Sequence, residues 1–363
     1  MLFRLGGVVP VHRSRDGDTA RNAATFAACN DALAAGAHIC VFVEGEMNEG
    51  PSLLPVKTGA ARIALGAACE EGIRDVLIVP LGLVYEDRGR FRSRAEMRVG
   101  EPVAMSDWVD HYRSGAEDTV RAVTRMLEAR LAAVTVNHPT PEEALLVDRA
   151  AGIALATADG DVSPSVRNEL RRALGRALET AGGEHSDAYG DLRDAVDGHL
   201  RVVAALGFDD GDIEHDFTSD PGAAIARLRR VLSALAAPAA FGAILNAPTV
   251  LGVAIVATRA RGAAWHATVK GVGGTFLAPL VWWGYYVALS RRLGRTSAIL
   301  LTTGGALAGW SALAFHDRWA RLRRLRSHAR RLACRPDDSE RAALTQGQVR
   351  AVVEKLVVAA LPA

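Results

Sequence analysis

The spacing of apolar and polar positions changes character along the 363 residues. Between Gly7 and Gly100, short apolar runs alternate with amphipathic segments, the pattern of an α/β unit. Asp18 or Thr19 can cap a helix that carries Phe26, Cys29 and Leu33 on one face and stops at Gly36. His38–Val43 reads as a strand buried on both faces, with Glu44-Gly45 at its C-terminal end, the edge where open α/β sheets bind ligands. Thr58–Glu71 reads as a helix stopped by Gly72, and Asp75–Leu83 as a second buried strand broken by Pro80. Ala95–Val99 follows as a shorter strand and Ser106–Ala133 as one long helix.

From Asn137 to Ala236 the pattern is helical and charged. Thr140-Pro141-Glu142-Glu143 combines an N-cap, proline at the first helical position and a capping-box glutamate. Ser163-Pro164 and Asp220-Pro221 repeat the cap-plus-proline device, and Gly182-Gly183 and Gly207–Asp212 break the run. Three uncharged stretches come next: Val231–Thr258, Gly271–Ser290 and Thr296–His316. Each approaches or exceeds the ~20 residues that cross a bilayer as a helix. Trp282, Trp283, Tyr285 and Tyr286 suit an interfacial aromatic belt. Asn246 and Pro248 point to a re-entrant or interfacial path for the first stretch, while Arg291–Arg295 joins the other two as a hairpin. The arginines between Arg318 and Arg331 favour the cytoplasmic side and anionic headgroups. The same material could also form buried helices of a soluble bundle with one solvated face.

Composition narrows the partners. With 43 Lys and Arg against 41 Asp and Glu, the net charge of +2 gives no electrostatic case for nucleic acid. Cys29, Cys40, Cys69 and Cys334 have neither metal-ligand spacing nor the density of a disulfide scaffold, so no metal is expected and a reducing compartment is. Met1–Val11 lacks the apolar length of an export signal.

The candidate chemistry lies early in the chain. Gly7-Val8-Val9-Pro10-Val11-His12-Arg13 is a short apolar run that ends by presenting Arg13, whose planar fork suits phosphate but whose default role is a surface charge. Val41-Phe42-Val43-Glu44-Gly45-Glu46 offers a carboxylate acceptor beside a glycine that permits positive φ. Lys57 precedes the helix start at Thr58-Gly59, which is either an anion-binding spot or an ordinary capped helix with an exposed lysine.

Taken in order and at their spacing, these blocks resemble the phospholipid/glycerol acyltransferase family, which includes 1-acylglycerol-3-phosphate acyltransferases. The family's second block, Gly-x-x-Pro-Val-x-Arg, is met by Gly7, Pro10, Val11 and Arg13; its third, Phe-Pro-Glu-Gly-Thr, by Phe42, Glu44 and Gly45; its fourth resembles Ile78–Leu83 around Pro80. Lys57-Thr58-Gly59-Ala60-Ala61-Arg62 resembles the continuation seen in bacterial members. The third block departs at Val43 and at Glu46.

The resemblance implies acyl transfer from a thioester of coenzyme A or acyl carrier protein, as substrate rather than cofactor, to glycerol 3-phosphate or its 1-acyl form. Arg13, Glu44, Gly45, Lys57 and Pro80 would then line the acceptor site. It also implies an acyltransferase-like α/β domain over 1–135, incomplete at its N-terminus, a helical region over 136–230, membrane helices over 231–316 and an Arg-rich juxtamembrane segment with a tail over 317–363. In the family's first block, His-x-x-x-x-Asp, histidine is the general base and aspartate orients its ring. That block is expected upstream of Gly7, and His12, His38, His111 and His138 each lack an aspartate five positions on. No catalytic residue is therefore assigned, and the chain as given is expected to be inactive. The alternative is a non-catalytic membrane or lipid-binding protein. Either way a multi-pass membrane protein with its acyltransferase-like part in the cytoplasm is expected.

Overall fold

The computed structural model describes residues 22–46, 48, 50–87, 92–157, 162–208, 215–219, 221–258 and 263–360, without the side chains of residues 22 and 263–268. The chain forms two compact units, Met1–Val84 with Glu96–Ala144, and Tyr85–Ala95 with Leu145–Ala363.

In the first unit, helix α1 (Asn22–Ala34) ends at Gly36, whose φ of 78° suits glycine at a helix C-terminus. Helix α2 (Gly59–Leu65) runs on into one π turn, Gly66–Glu70, and stops before Gly72 at φ 63°. The strands are β1 (Leu77–Ile78), β2 (Leu81–Tyr85), β3 (Ala95–Val99) and β4 (Val103–Ala104). β1 pairs antiparallel with β4, Leu77 opposite Ala104 and Ile78 opposite Val103, and β2 pairs with β3. Pro80 separates β1 from β2, as its missing N–H requires. A one-turn 3₁₀ segment at Met105–Trp108 leads into α3 (Val109–Ser114) and α4 (Ala116–Val134). Ala61, Leu65, Val103, Met105, Val123 and Leu127 make the core between α2, α4, β4 and the 3₁₀ segment.

Three expectations fail here. Asp75–Leu83 is not a buried strand: β1 and β2 are short, and Leu77, Val79, Leu81 and Leu83 are exposed. His38–Val43 is not a strand, and Phe42 is 81% exposed. A β-branched apolar run becomes a strand only where a neighbouring ladder accepts it, and none of the described strands pairs with it. The α/β character therefore rests on two small ribbons beside helices. The expected single helix Ser106–Ala133 is broken at Gly115, whose extended backbone releases a position that costs about 1 kcal/mol inside a helix.

The second unit is helical. Helix α5 (Pro141–Ala154) is followed by α6 (Pro164–Ala181), capped by Ser163, which accepts from the Val166 N–H at 3.3 Å, and by α7 (Asp187–Ala205), capped by Ser186. Gly182 and Gly183 take φ of 108° and 70° between them. Helices α8 (Gly222–Ala257), α9 (Ala263–Leu293), α10 (Arg295–Ala333) and α11 (Pro336–Ala359) complete the chain. The core joins α5, α6, α7 and α11 through Val147, Ile153, Leu174, Leu192, Val196 and Val349. Gln346 of α11 is fully buried and satisfied: its amide donates to the carbonyls of Ile153 and His215 at 3.3 and 3.0 Å, and its oxygen accepts from Phe217 N–H at 3.0 Å. Beside it lies an aromatic cluster in which His215 Nδ1 is 3.1 Å from His328 Nδ1, packed by Phe208 and Phe217. Burial works against the Asp216 carboxylate, but hydrogen bonds from Ser219 and Thr218 and the nearby Arg350 hold it below its usual range.

Helices α8, α9 and α10 are long and apolar enough to cross a membrane. Only 11%, 0% and 11% of their apolar windows are buried, so the protein itself does not cover these surfaces, as a soluble bundle would. α8 is one helix through Pro238, Asn246 and Pro248, which corrects the re-entrant reading. Asn246 resolves its own polarity by donating to Gly242 O at 2.8 Å and toward Gly305 O at 3.5 Å. Glycines bring α8 and α10 together: a β-carbon on Gly242 would overlap the Ala308 backbone, and one on Gly309 would lie 2.8 Å from Asn246 Nδ2. This small-residue packing is how helices associate in lipid, where no hydrophobic drive draws them together.

Candidate functional site

The segment from Val43 to Lys57 is held as one closed loop. Lys57 N–H donates to Val43 O at 2.9 Å, and Gly45 turns the chain at φ 75°. A β-carbon on Gly45 would sit 3.6 Å from Lys57 Cγ, so glycine is needed here for conformation rather than for space. Glu44, Gly45 and Lys57 are thus brought together. The Glu44 carboxylate faces into its own loop, accepting from Asn48 Nδ2 at 2.8 Å and from Leu54 N–H at 3.0 Å. Asn48 also donates to Ser52 O at 2.7 Å. Glu44 therefore shapes the loop, while Lys57 is left exposed beside Gly45.

A second fastening comes from residues that sequence reasoning missed. Leu53 N–H donates to Asn137 Oδ1 at 2.8 Å, His138 N–H donates to Pro51 O at 3.2 Å, and Ser52 Oγ donates to His138 O. His138 Nδ1 lies 3.3 Å from Glu143 Oε1 in a pair that is almost fully buried. Glu143 also anchors the start of α5, its N–H donating to Thr140 Oγ1 at 3.1 Å. Beneath the loop, Val56, Leu131 and Val134 form a small core with Val43 and Leu53 against it.

Pro80 is buried, and its carbonyl accepts from Gly100 N–H at 2.8 Å. β-carbons on Gly82 and Gly100 would press on Val134, so the end of α4 underlies both the Pro80 segment and the Glu44 loop. Arg62, one turn into α2, is committed to Glu117 at 2.7 and 3.0 Å. Arg13, with the rest of the Gly7–Arg13 block, lies outside the described residues. Among the described residues there is no group of three metal-ligating side chains.

A family model described as Acyltransferase matches residues 1–84. The chain is 34% identical over 130 residues to "Glycerol-3-phosphate O-acyltransferase 2" of Saccharomyces cerevisiae, a stretch that covers 36% of this chain and 18% of the yeast protein. Its N-terminal segment is similar to glycerolipid acyltransferases. "Glycerol-3-phosphate O-acyltransferase 1" of the same yeast is 32% identical over 112 residues, 30% of this chain and 15% of that protein. An uncharacterised acyltransferase of Schizosaccharomyces pombe is 31% identical over 117 residues, 32% of this chain and 17% of that one. The chain thus spans less than a fifth of the length of these curated acyltransferases, and no solved structure matches it.

The family's His-x-x-x-x-Asp spacing, sought at His12, His38, His111 and His138, occurs instead at His215 and Asp220. It follows the acyltransferase blocks rather than preceding them and lies beyond the matched residues. Asp220 is outside the described residues, and the His215 ring belongs to the aromatic cluster of the second unit. The ring packs among Phe208, Phe217 and His328.

Proposed function

We propose that this chain supplies the acceptor-binding part of a membrane-attached glycerolipid acyltransferase. In the reaction, the hydroxyl of glycerol 3-phosphate or its 1-acyl form attacks the carbonyl of a coenzyme A or acyl-carrier-protein thioester. A C–O ester bond forms, the C–S bond breaks, and the hydroxyl proton leaves with the thiol. The phosphate of the acceptor lies against Lys57, with Arg13 as a second cation, and the Gly45 turn lets the backbone approach it. Glu44 acts through the shape of the loop. Pro80 fixes the neighbouring segment. The membrane helices α8 to α10 make the protein multi-pass, with the arginine-rich end of α10 and the acyltransferase segment on the cytoplasmic side.

The observation that carries this reading is the closure of Glu44, Gly45 and Lys57 into one hydrogen-bonded loop within the segment similar to the acyltransferases. A second reading, a lipid-binding protein without transfer chemistry, is favoured by the inward-turned Glu44 and by Glu46, which is exposed on the same loop. Acyl transfer by the purified full chain, with labelled acyl thioester and either acceptor, separates the two. Ester product supports the transferase. Acceptor binding with no ester, both in the chain as given and with a His-x-x-x-x-Asp segment joined ahead of Gly7, assigns the second reading.

A further inference from the structure

The chain is nearly charge-balanced overall, but one end of its apolar helix pair is not. Helices α8 and α10 pack in opposite directions: Leu228 and Leu232 meet Leu322 and Leu325, and further along Gly242 meets Ala308. This pairing brings the arginine-rich start of α8 to the arginine-rich part of α10. Arg229 and Arg230 on α8, and Arg323 and Arg324 on α10, are exposed and have no ion-pair partner among the described residues. Further arginines flank them on both helices, while Asp317, the acid between residues 317 and 333, is paired with Arg92 at 3.3 Å.

Depth along the helix fits the same picture. The uncharged run from Thr296 to Phe315 is ~30 Å long as a helix, the thickness of a bilayer's hydrocarbon core. Phe315 and Trp319 stack at its end, with ring centroids 6.2 Å apart and planes at 12°, and Trp319 is exposed one turn before Arg323. An exposed aromatic ring such as Trp319 at that level marks the boundary between acyl chains and headgroups. The unpaired arginines stand just beyond it, where phosphates lie.

We infer that the arginines at this end of α8 and α10 form a binding surface for anionic phospholipid headgroups. Guanidinium forks engage phosphate oxygens two at a time, and each basic side chain near an anionic surface contributes ~1 kcal/mol, about five-fold in association. The surface is independent of acyl transfer and holds whether or not the acceptor site is active.

The test uses the full chain in phosphatidylcholine nanodiscs containing a small fraction of dansyl-labelled phosphatidate or dansyl-labelled phosphatidylcholine. Energy transfer from tryptophan reports which lipid gathers at the protein. Labelled phosphatidate is enriched over labelled phosphatidylcholine, and the enrichment weakens as salt rises from 0.1 to 0.5 M and the screening length shortens. Arg323→Gln and Arg229→Gln each lower it about five-fold or less, the combined change of all four arginines abolishes it, and Arg193→Gln on α7 leaves it intact. The single variants carry the test if the combined one does not fold. Equal association of both lipids, enrichment that survives the single and combined changes, or displacement of phosphatidate by an oligonucleotide at matched phosphate would overturn the proposal.

Discussion

If Glu44 shapes the acceptor loop from within, its removal is felt first in the loop's own amides. In Glu44→Ala the Leu54 N–H and the Asn48 amide lose a charged acceptor that they reach at 3.0 and 2.8 Å. Hydrogen bonds to a charged group contribute ~1.5–3 kcal/mol each, and the half-exposed setting lets water replace part of that, so about 2–3 kcal/mol of local stability goes. At 1.4 kcal/mol per decade, Leu54 amide exchange should quicken by roughly 30- to 100-fold. Glu44→Gln keeps an oxygen in place without the charge, and the rise should be roughly five- to ten-fold. Hydrogen exchange of the full chain, followed on peptides spanning Leu53–Lys57, reads both variants, with a peptide from α7 as the unchanged reference. Equal exchange in all three proteins would refute the clasp. So would a glutamine variant as disturbed as the alanine one, since charge alone would then explain the effect.

Two further outcomes follow from the second unit. His199 on α7 is buried, bonded through Nδ1 to Thr345 Oγ1 at 2.9 Å, and burial lowers its pKa to about 4. Because the unfolded chain takes up that proton near pH 6.5, stability should be complete above that pH. It should fall by up to about 3 kcal/mol as the pH drops toward 4, and thermal unfolding of His199→Gln subtracted from wild type should isolate this slope. A pH-independent difference between the two would remove His199 as its source. In the apolar pair, Gly242→Val places side-chain atoms into the Ala308 backbone and should cost about 1–3 kcal/mol. Thermal melts in detergent check it, and an unshifted midpoint would mean that α8 and α10 are not in close contact there.

Local signals were legible in the sequence and distant ones were not. The caps at Thr140 and Ser163, the glycine stops after α1, α2 and α6 and the break at Pro80 all depend on residues within a turn or two of the feature they set. The third apolar stretch is visible as a span because its length is a property of one helix. His38–Val43 misleads because a strand is defined by its neighbours, and composition does not supply one. Asn137 and His138 could not be tied to Leu53 and Ser52 from spacing, since the bonds cross 84 and 86 residues. Gln346 was equally silent: its value lies in three backbone groups from elsewhere in the fold. The Gly305-x-x-x-Gly309 spacing was the one long-range clue available, a small-residue motif suited to helix contact in lipid.

The claim that the Glu44–Lys57 loop receives a glycerol phosphate acceptor is tested most directly by calorimetric titration of the purified full chain with glycerol 3-phosphate. Saturable binding is expected, absent with glycerol and weakened about five- to ten-fold in Lys57→Ala, the loss expected for one exposed charge-assisted contact to phosphate. Binding that is absent, or that Lys57→Ala leaves unchanged, would contradict it.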